Sequence, residues 1–117
     1  MVMSARAPDA LREAKQALYR SHILDIAEEV FAEVGFEATQ VKVVASRAKI
    51  SLSTLYGHFS NKQVLYSAVH ARRLDELMGS LAAVGQKHHA PLDQMLAAMD
   101  GYIVFHMEHP SYLKMHL

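Results

Sequence analysis

Between Gln40 and Lys62 the chain carries basic side chains at Lys42, Arg47, Lys49 and Lys62 and no acidic one, interleaved with hydroxyls and an aromatic ring. Cations and hydroxyls hold phosphate oxygens, and short polar or apolar side chains meet base edges, so this mixture suits nucleic acid. On a helix beginning at Ser51, Tyr56 lies opposite Leu55 and Phe59 and can donate its hydroxyl to a phosphate. His58 offers a ring N–H for the same purpose. Thr39 and Lys62 are placed to clamp the backbone on the two sides of a groove. Lys42 can reach either a phosphate or guanine O6 and N7. Leu52 suits a thymine methyl, Ser53 and Thr54 can hydrogen-bond bases or phosphates, and Gly57 lets the backbone come close. The ordinary alternatives are a core tyrosine, an exposed histidine and a solvated lysine.

These residues need two short helices to hold them. Val41, Val44, Ala45 and Ala48 recur at three- and four-residue spacing, which predicts a helix with one apolar face, and Thr39 is the expected N-cap. Lys49-Ile50-Ser51 forms the turn, with Ile50 plugging the angle. Ser51 caps a second helix, Leu52 to about Phe59, whose Leu55 and Phe59 face inward. A helix, a three- or four-residue turn and a second helix of about two turns make a helix-turn-helix, which lays its second helix in the major groove of DNA.

An amphipathic helix is expected ahead of this pair, from Leu11 or Arg12 to Val34. Ile23, Ala27, Val30, Phe31 and Val34 form its inner stripe, and Asp25, Glu28, Glu29 and Glu33 its wet face. Gly35 ends it in a left-handed conformation, with Phe36 packing back on Phe31. Met1 to Ala10, with Pro8, reads as an arm from which Arg6, together with Arg12, could reach DNA. After the pair, Ser60 and Gln63 have the spacing of a capping box. The helix that follows carries Val64, Leu65, Ala68, Val69, Leu74, Leu77, Met78 and Leu81 and runs to about Ala83. Gly85 to Ala90 reads as a loop, and Pro91 opens another helix lined on one side by Leu92, Met95, Leu96, Met99, Ile103 and Met107. Pro110 ends it, and Ser111 to Leu117 opens one more.

Over Ile23 to Leu65 the chain resembles the N-terminal domain of the TetR/AcrR family of bacterial transcriptional regulators. The matching pieces are Ile23-Leu24 and Ala27, the block Phe31 to Thr39, Val44-Ala45, Ser51, Thr54 to Phe59, Ser60-Asn61-Lys62, Val64 and Leu65. It departs at Lys49 and Ser53, where the family usually has glycine. The resemblance implies that Lys42 occupies a position often filled by a base-contacting arginine. It also implies that the helix after Lys62 links the DNA-binding domain to a helical regulatory domain. Such regulators usually continue for several more helices, which complete a ligand pocket and the dimer face. The chain is thus expected to be either a fragment of a longer product or a shortened regulator.

The 117 residues, 51% of them apolar, suffice for one small domain and part of another. The absence of cysteine excludes disulfides and thiolate metal sites and suits the cytoplasm. No signal peptide or membrane span is read from the sequence. Net charge is formally zero, so only the local basic face speaks for nucleic acid. Eight histidines raise the question of metal, but His106, His109 and His116, with Glu108 as the one nearby acid, do not form the convergent set that zinc requires. Metal and other cofactors are therefore not expected. Met95, Met99, Tyr102 and His106 are candidates for a small-molecule pocket, with core packing as the alternative. No nucleophile stands beside a base at motif spacing and no Gly-rich phosphate loop is present, so an enzyme is not expected.

The expected fold is all-α: a flexible arm over 1–11, a helix-turn-helix DNA-binding domain over 12–62, and a partial helical regulatory domain over 63–117. By resemblance, the function is that of a ligand-responsive repressor binding a palindromic double-stranded operator as a homodimer, with an unidentified small-molecule effector and no membrane association. The alternative is an interaction protein that pairs with a full-length relative and modulates its DNA binding.

Overall fold

The structure, a computed structural model, describes residues 3–117, with side chains from Pro8 onward. It contains six helices in the order α1 (Met3–Ala38), α2 (Val41–Arg47), α3 (Leu52–His58), α4 (Lys62–Lys87), α5 (Pro91–Glu108) and α6 (Pro110–Met115). No strand occurs among the described residues, as the all-α expectation requires. Among the described residues no helix is long and apolar enough to cross a membrane.

α1 begins well before Leu11. Residues 3–11, expected as an arm, are helical. The run is rich in alanine and other good helix formers, and Pro8 removes only one backbone donor near the helix start. The Arg6 side chain lies outside the described residues. At its other end α1 is interrupted at Gly35, where φ is +82°, a value that favours glycine. Phe36 then stacks on Phe31 at 6.2 Å between ring centroids, and Tyr66 of α4 meets both rings edge-on at 4.9 and 5.0 Å. Phe36 thus packs back on Phe31 as expected, whereas Val34, assigned to the inner stripe, is exposed.

One core ties α1 to α4 together. Ile23, Leu24, Ala27, Val30 and Phe31 of α1 pack with Val44 and Ala45 of α2, Leu55 of α3, Phe59 just beyond it, and Leu65 and Val69 of α4. Ile50 reaches this core from the turn, as its place in the sequence predicts. A smaller cluster joins Leu77 of α4, Phe105 of α5 and Tyr112 of α6, and Met115 touches both clusters.

Glu28 departs furthest from expectation. Assigned to the wet face, it is buried, and Arg73 of α4 binds it through two bonds of 2.8 Å. Arg73 also donates to Glu76 at 2.9 Å, and Arg72 donates to Asp25 at 2.6 Å. The hydrogen bond to Glu28 holds the Arg73 guanidinium charged well beyond the ordinary arginine range. Asp25 and Glu28 of α1 thus bind the two arginines of α4.

Three local assignments are corrected. α2 is capped by Gln40 without a side-chain bond, not by Thr39. The cap of α4 is Asn61, whose side chain accepts from the Val64 N–H at 2.8 Å, while Gln63 donates to Ser67 in place of closing a box with Ser60. α4 also runs four residues past Ala83, to Lys87. α5 starts at Pro91 as expected and packs with Gly101 against Leu81 and Val84 and with Phe105 against Leu77. The stripe Leu92, Met95, Leu96, Met99, Ile103 and Met107 is about half a turn around and exposed.

Candidate nucleic-acid interface

α2 and α3 are joined by a turn whose geometry rests on Lys49, the only non-glycine residue with positive φ (+60°) among those described. A left-handed conformation costs a side-chain-bearing residue on the order of 1 kcal/mol. Lys49→Gly is therefore expected to raise stability by roughly 0.5–1 kcal/mol, measured as the urea midpoint at unchanged m-value. An unchanged or lower midpoint would show that the turn holds no strain. Downstream, Ser51 caps α3 as expected: its Oγ accepts from the Thr54 N–H at 3.0 Å and donates to Thr54 Oγ1 at 2.8 Å. Thr54 keeps its own hydroxyl proton for another partner.

The N-terminal ends of α2 and α4 converge on one face of α3 and leave an open cleft. Thr39, Gln40, Val41 and Lys42 line it from one side, Leu52 and Tyr56 from α3, and Ser60, Asn61 and Lys62 from the other. Five of the nine residues singled out in the sequence meet here: Thr39, Lys42, Leu52, Tyr56 and Lys62. Leu52 and Tyr56, one turn apart, are 41% and 45% exposed, so neither fills the core. Ser53, Thr54 and Gly57 are exposed on the rest of α3, and His58 is half-buried beside Phe59. Gln40, Ser60 and Asn61 were not singled out. Their signal was present in the cap positions ahead of two helices, where backbone N–H groups lack partners and favour anions.

Two of the five bond to carbonyls of the chain itself. Thr39 is buried and donates its hydroxyl to the Gly35 carbonyl at 2.6 Å. Lys62 Nζ donates to the carbonyls of Phe36, Glu37 and Thr39 at 2.8, 3.3 and 3.2 Å and lies 4.5 Å from the centre of the Phe36 ring. It stitches the start of α4 to the end of α1. Arg47 is paired with Glu33 at 2.7 Å. Lys42 and Lys49 take part in none of the ion pairs formed among the described residues. Lys42 is therefore the uncommitted cation at the cleft.

Gly57 has nothing within 4 Å of where a Cβ would stand. Gly57→Ala is expected to stabilise α3 by roughly 0.5–1 kcal/mol while weakening DNA binding if that face meets DNA. Thermal melting and a duplex titration of the same protein separate the two effects, and unchanged DNA affinity would remove Gly57 from the interface.

Of the four residues considered for a small-molecule pocket, Met95, Met99 and Tyr102 line a shallow apolar depression on the outer side of α5 with Ala98 and Ile103. His106 does not join them. It is buried near Tyr112. Among the described residues no three histidine or acidic side chains are placed to hold a metal ion.

Three helices with this turn, this exposed face of α3 and this cation-bearing cleft define a helix-turn-helix domain, extended by a second helical unit. Residues 23–69 match the family described as bacterial regulatory proteins, tetR family. The chain is 34% identical over 92 residues to the HTH-type transcriptional activator FasR of Mycolicibacterium smegmatis, covering 79% of this chain and 42% of that protein. It is 35% identical over 80 residues to the HTH-type transcriptional repressor KstR2 of Rhodococcus jostii, covering 66% of this chain and 39% of the relative. Its fold superposes with a TM-score of 0.79 on a TetR-like transcriptional regulator from Rhodococcus sp. RHA1, at 28% identity over 85% of this chain and 54% of that one. The chain belongs to the TetR family of transcriptional regulators, whose N-terminal DNA-binding module it carries. It spans about two fifths of the length of the two sequence relatives.

Proposed function

We propose that this chain is the DNA-reading part of a sequence-specific regulator that binds a palindromic operator as a dimer and responds to a small-molecule effector, most simply as a repressor in the cytoplasm. The carrying observation is the cleft between α2, α3 and α4. It presents Tyr56, Leu52 and an unpaired Lys42 with no carboxylate among its lining residues. Tyr56 and Lys42 supply phosphate affinity, and Leu52, Ser53 and Lys42 read base edges. Two such readers set one helical turn of DNA apart would match an inverted repeat. The sequence relatives include an activator and a repressor, so the direction of control belongs to the proposal.

Selection of bound duplexes from a random pool at moderate salt tests this reading. An inverted repeat is expected. Lys42→Ala should then weaken binding to the selected site and lower the salt slope of log K by about 0.9 if its contact is to a phosphate. Recovery of no sequence above background would overturn DNA reading by this chain. A second reading, a partner that pairs with a longer relative, is favoured by the uncovered apolar side of α5. It predicts mixed dimers with such a relative and loss of that relative's DNA binding.

A further inference from the structure

Away from the cleft, three histidines from three parts of the chain surround one tyrosine. Tyr112 of α6 is buried, and its ring centroid lies 5.5 Å from His70 of α4, 5.9 Å from His106 of α5 and 4.7 Å from His116 just after α6. The Tyr112 hydroxyl sits 3.3 Å from His70 Nδ1, and His116 Nδ1 lies 2.9 Å from the Tyr112 carbonyl, to which it can donate. His70 and His116 are 5.5 Å apart, and His106 and His116 6.1 Å. His106 Nδ1 is buried without a hydrogen-bond partner. Nothing in the DNA interface uses these groups.

We propose that this cluster is a proton-operated latch: with its histidines neutral it holds α6 against α1, α4 and α5, and their protonation on acidification releases α6. A neutral His106 leaves an acceptor nitrogen idle, whereas a charged one would carry an N–H donor with no acceptor in the interior. A neutral His70 can accept the Tyr112 hydroxyl proton, which burial keeps on the oxygen by raising that group above its ordinary range. The His116 ring lies against the Tyr112 carbonyl, and a charge on it opposes one on His70.

The other groups facing the cluster offer little compensation. Glu28 of α1 favours a charge on His70, but its carboxylate is already bound by Arg73 through both oxygens. Glu76 of α4 receives Arg73 and lies 3.7 Å from His109, outside the ring of three. Tyr66 and Tyr102 present rings to His70 and His106 at 4.6 Å.

Burial, with His116 next, lowers His70 from its ordinary value. The sign follows: the unfolded or released state takes up protons that the latched state refuses. Stability of the latch is full above pH ~6.5 and is lost as pH falls below it. Release would part Tyr112 from Leu77 and Phe105 and lift Met115 from the core of the DNA-binding helices, so proton uptake here would loosen the join between the two units.

Two-dimensional amide NMR of the 117-residue chain between pH 8 and 5.5 tests the latch, with labelled histidine followed in the same samples. The α6 amides (residues 111–115) are expected to move together with the His70 and His106 ring signals, while α3 amides stay fixed. His70→Gln, and separately His106→Gln in case the first variant fails to fold, should displace or abolish the α6 transition. Replacing the loop residues His88 and His89 by glutamine should leave it unchanged. Fixed α6 amides across the range, an α6 transition that persists unshifted in either variant, or simultaneous loss of α3 and α6 signals would each overturn the proposal.

Discussion

Replacing Arg73 with methionine is expected to lower the unfolding free energy by about 3–5 kcal/mol, because it strands the buried Glu28 carboxylate without its partner. The side chains of Arg73 and Glu28 are 12% and 6% exposed, so water cannot substitute for the lost bonds. Arg72 approaches the same carboxylate only to 3.8 Å and is already engaged with Asp25. The double replacement Glu28→Met with Arg73→Met should recover much of the loss, since a well-packed apolar pair also removes the desolvation penalty. Urea unfolding of the two single variants and the double variant gives the coupling energy directly. If Arg73→Met alone costs less than about 1 kcal/mol, the pair behaves as a solvated surface bridge and does not anchor α4.

The second large effect is expected at Lys62. Its ammonium caps three carbonyls at the end of α1 and lies against the Phe36 ring. Lys62→Met keeps the length of the side chain and removes those donors. Water can reach some of the freed carbonyls, so a loss of about 2 kcal/mol is expected, in the range for hydrogen bonds to a charged group. A thermal melt measures this, and DNA titrations against salt ask whether Lys62 also touches phosphate. A purely structural lysine leaves the salt slope of the folded variant unchanged, whereas a phosphate contact lowers it by about 1. Unchanged stability with a reduced slope would restore the clamp expected from sequence and overturn the role assigned by the fold.

Both positions show how the chemistry of a residue outruns its label in a sequence. Glu28 is one of seven carboxylates on α1, and the helical pattern places it with the solvated ones. Its partner is forty-five residues away, and no local rule brings it there. Lys62 stands at a helix start beside a candidate DNA face, which in sequence favours a phosphate contact. Only the return of the chain at Gly35 places three carbonyls around its ammonium. The stripe on α5 illustrates the reverse limit. Its spacing fixes which residues share a side, but not whether that side meets another helix.

Features under short-range control were legible along the chain. Ser51 caps α3, Pro91 opens α5, Gly35 breaks α1, and Phe36 folds back on Phe31, because each depends on atoms a few residues apart. The apolar spacing of α2 and α3, with Ile50 between them, determined the helix-turn-helix and most of its core. The exposed Leu52 and Tyr56 follow from the same period, since Leu55 and Phe59 must point inward. The tertiary structure decided what depends on meetings between distant helices. It buried Glu28 under Arg73, bonded Thr39 and Lys62 to the protein's own carbonyls, faced the methionine stripe outward, and gathered His70, His106 and His116 around Tyr112. Periodicity says which side of a helix is apolar or charged. Which partner each side finds is set by how the helices cross, through contacts that local spacing does not encode.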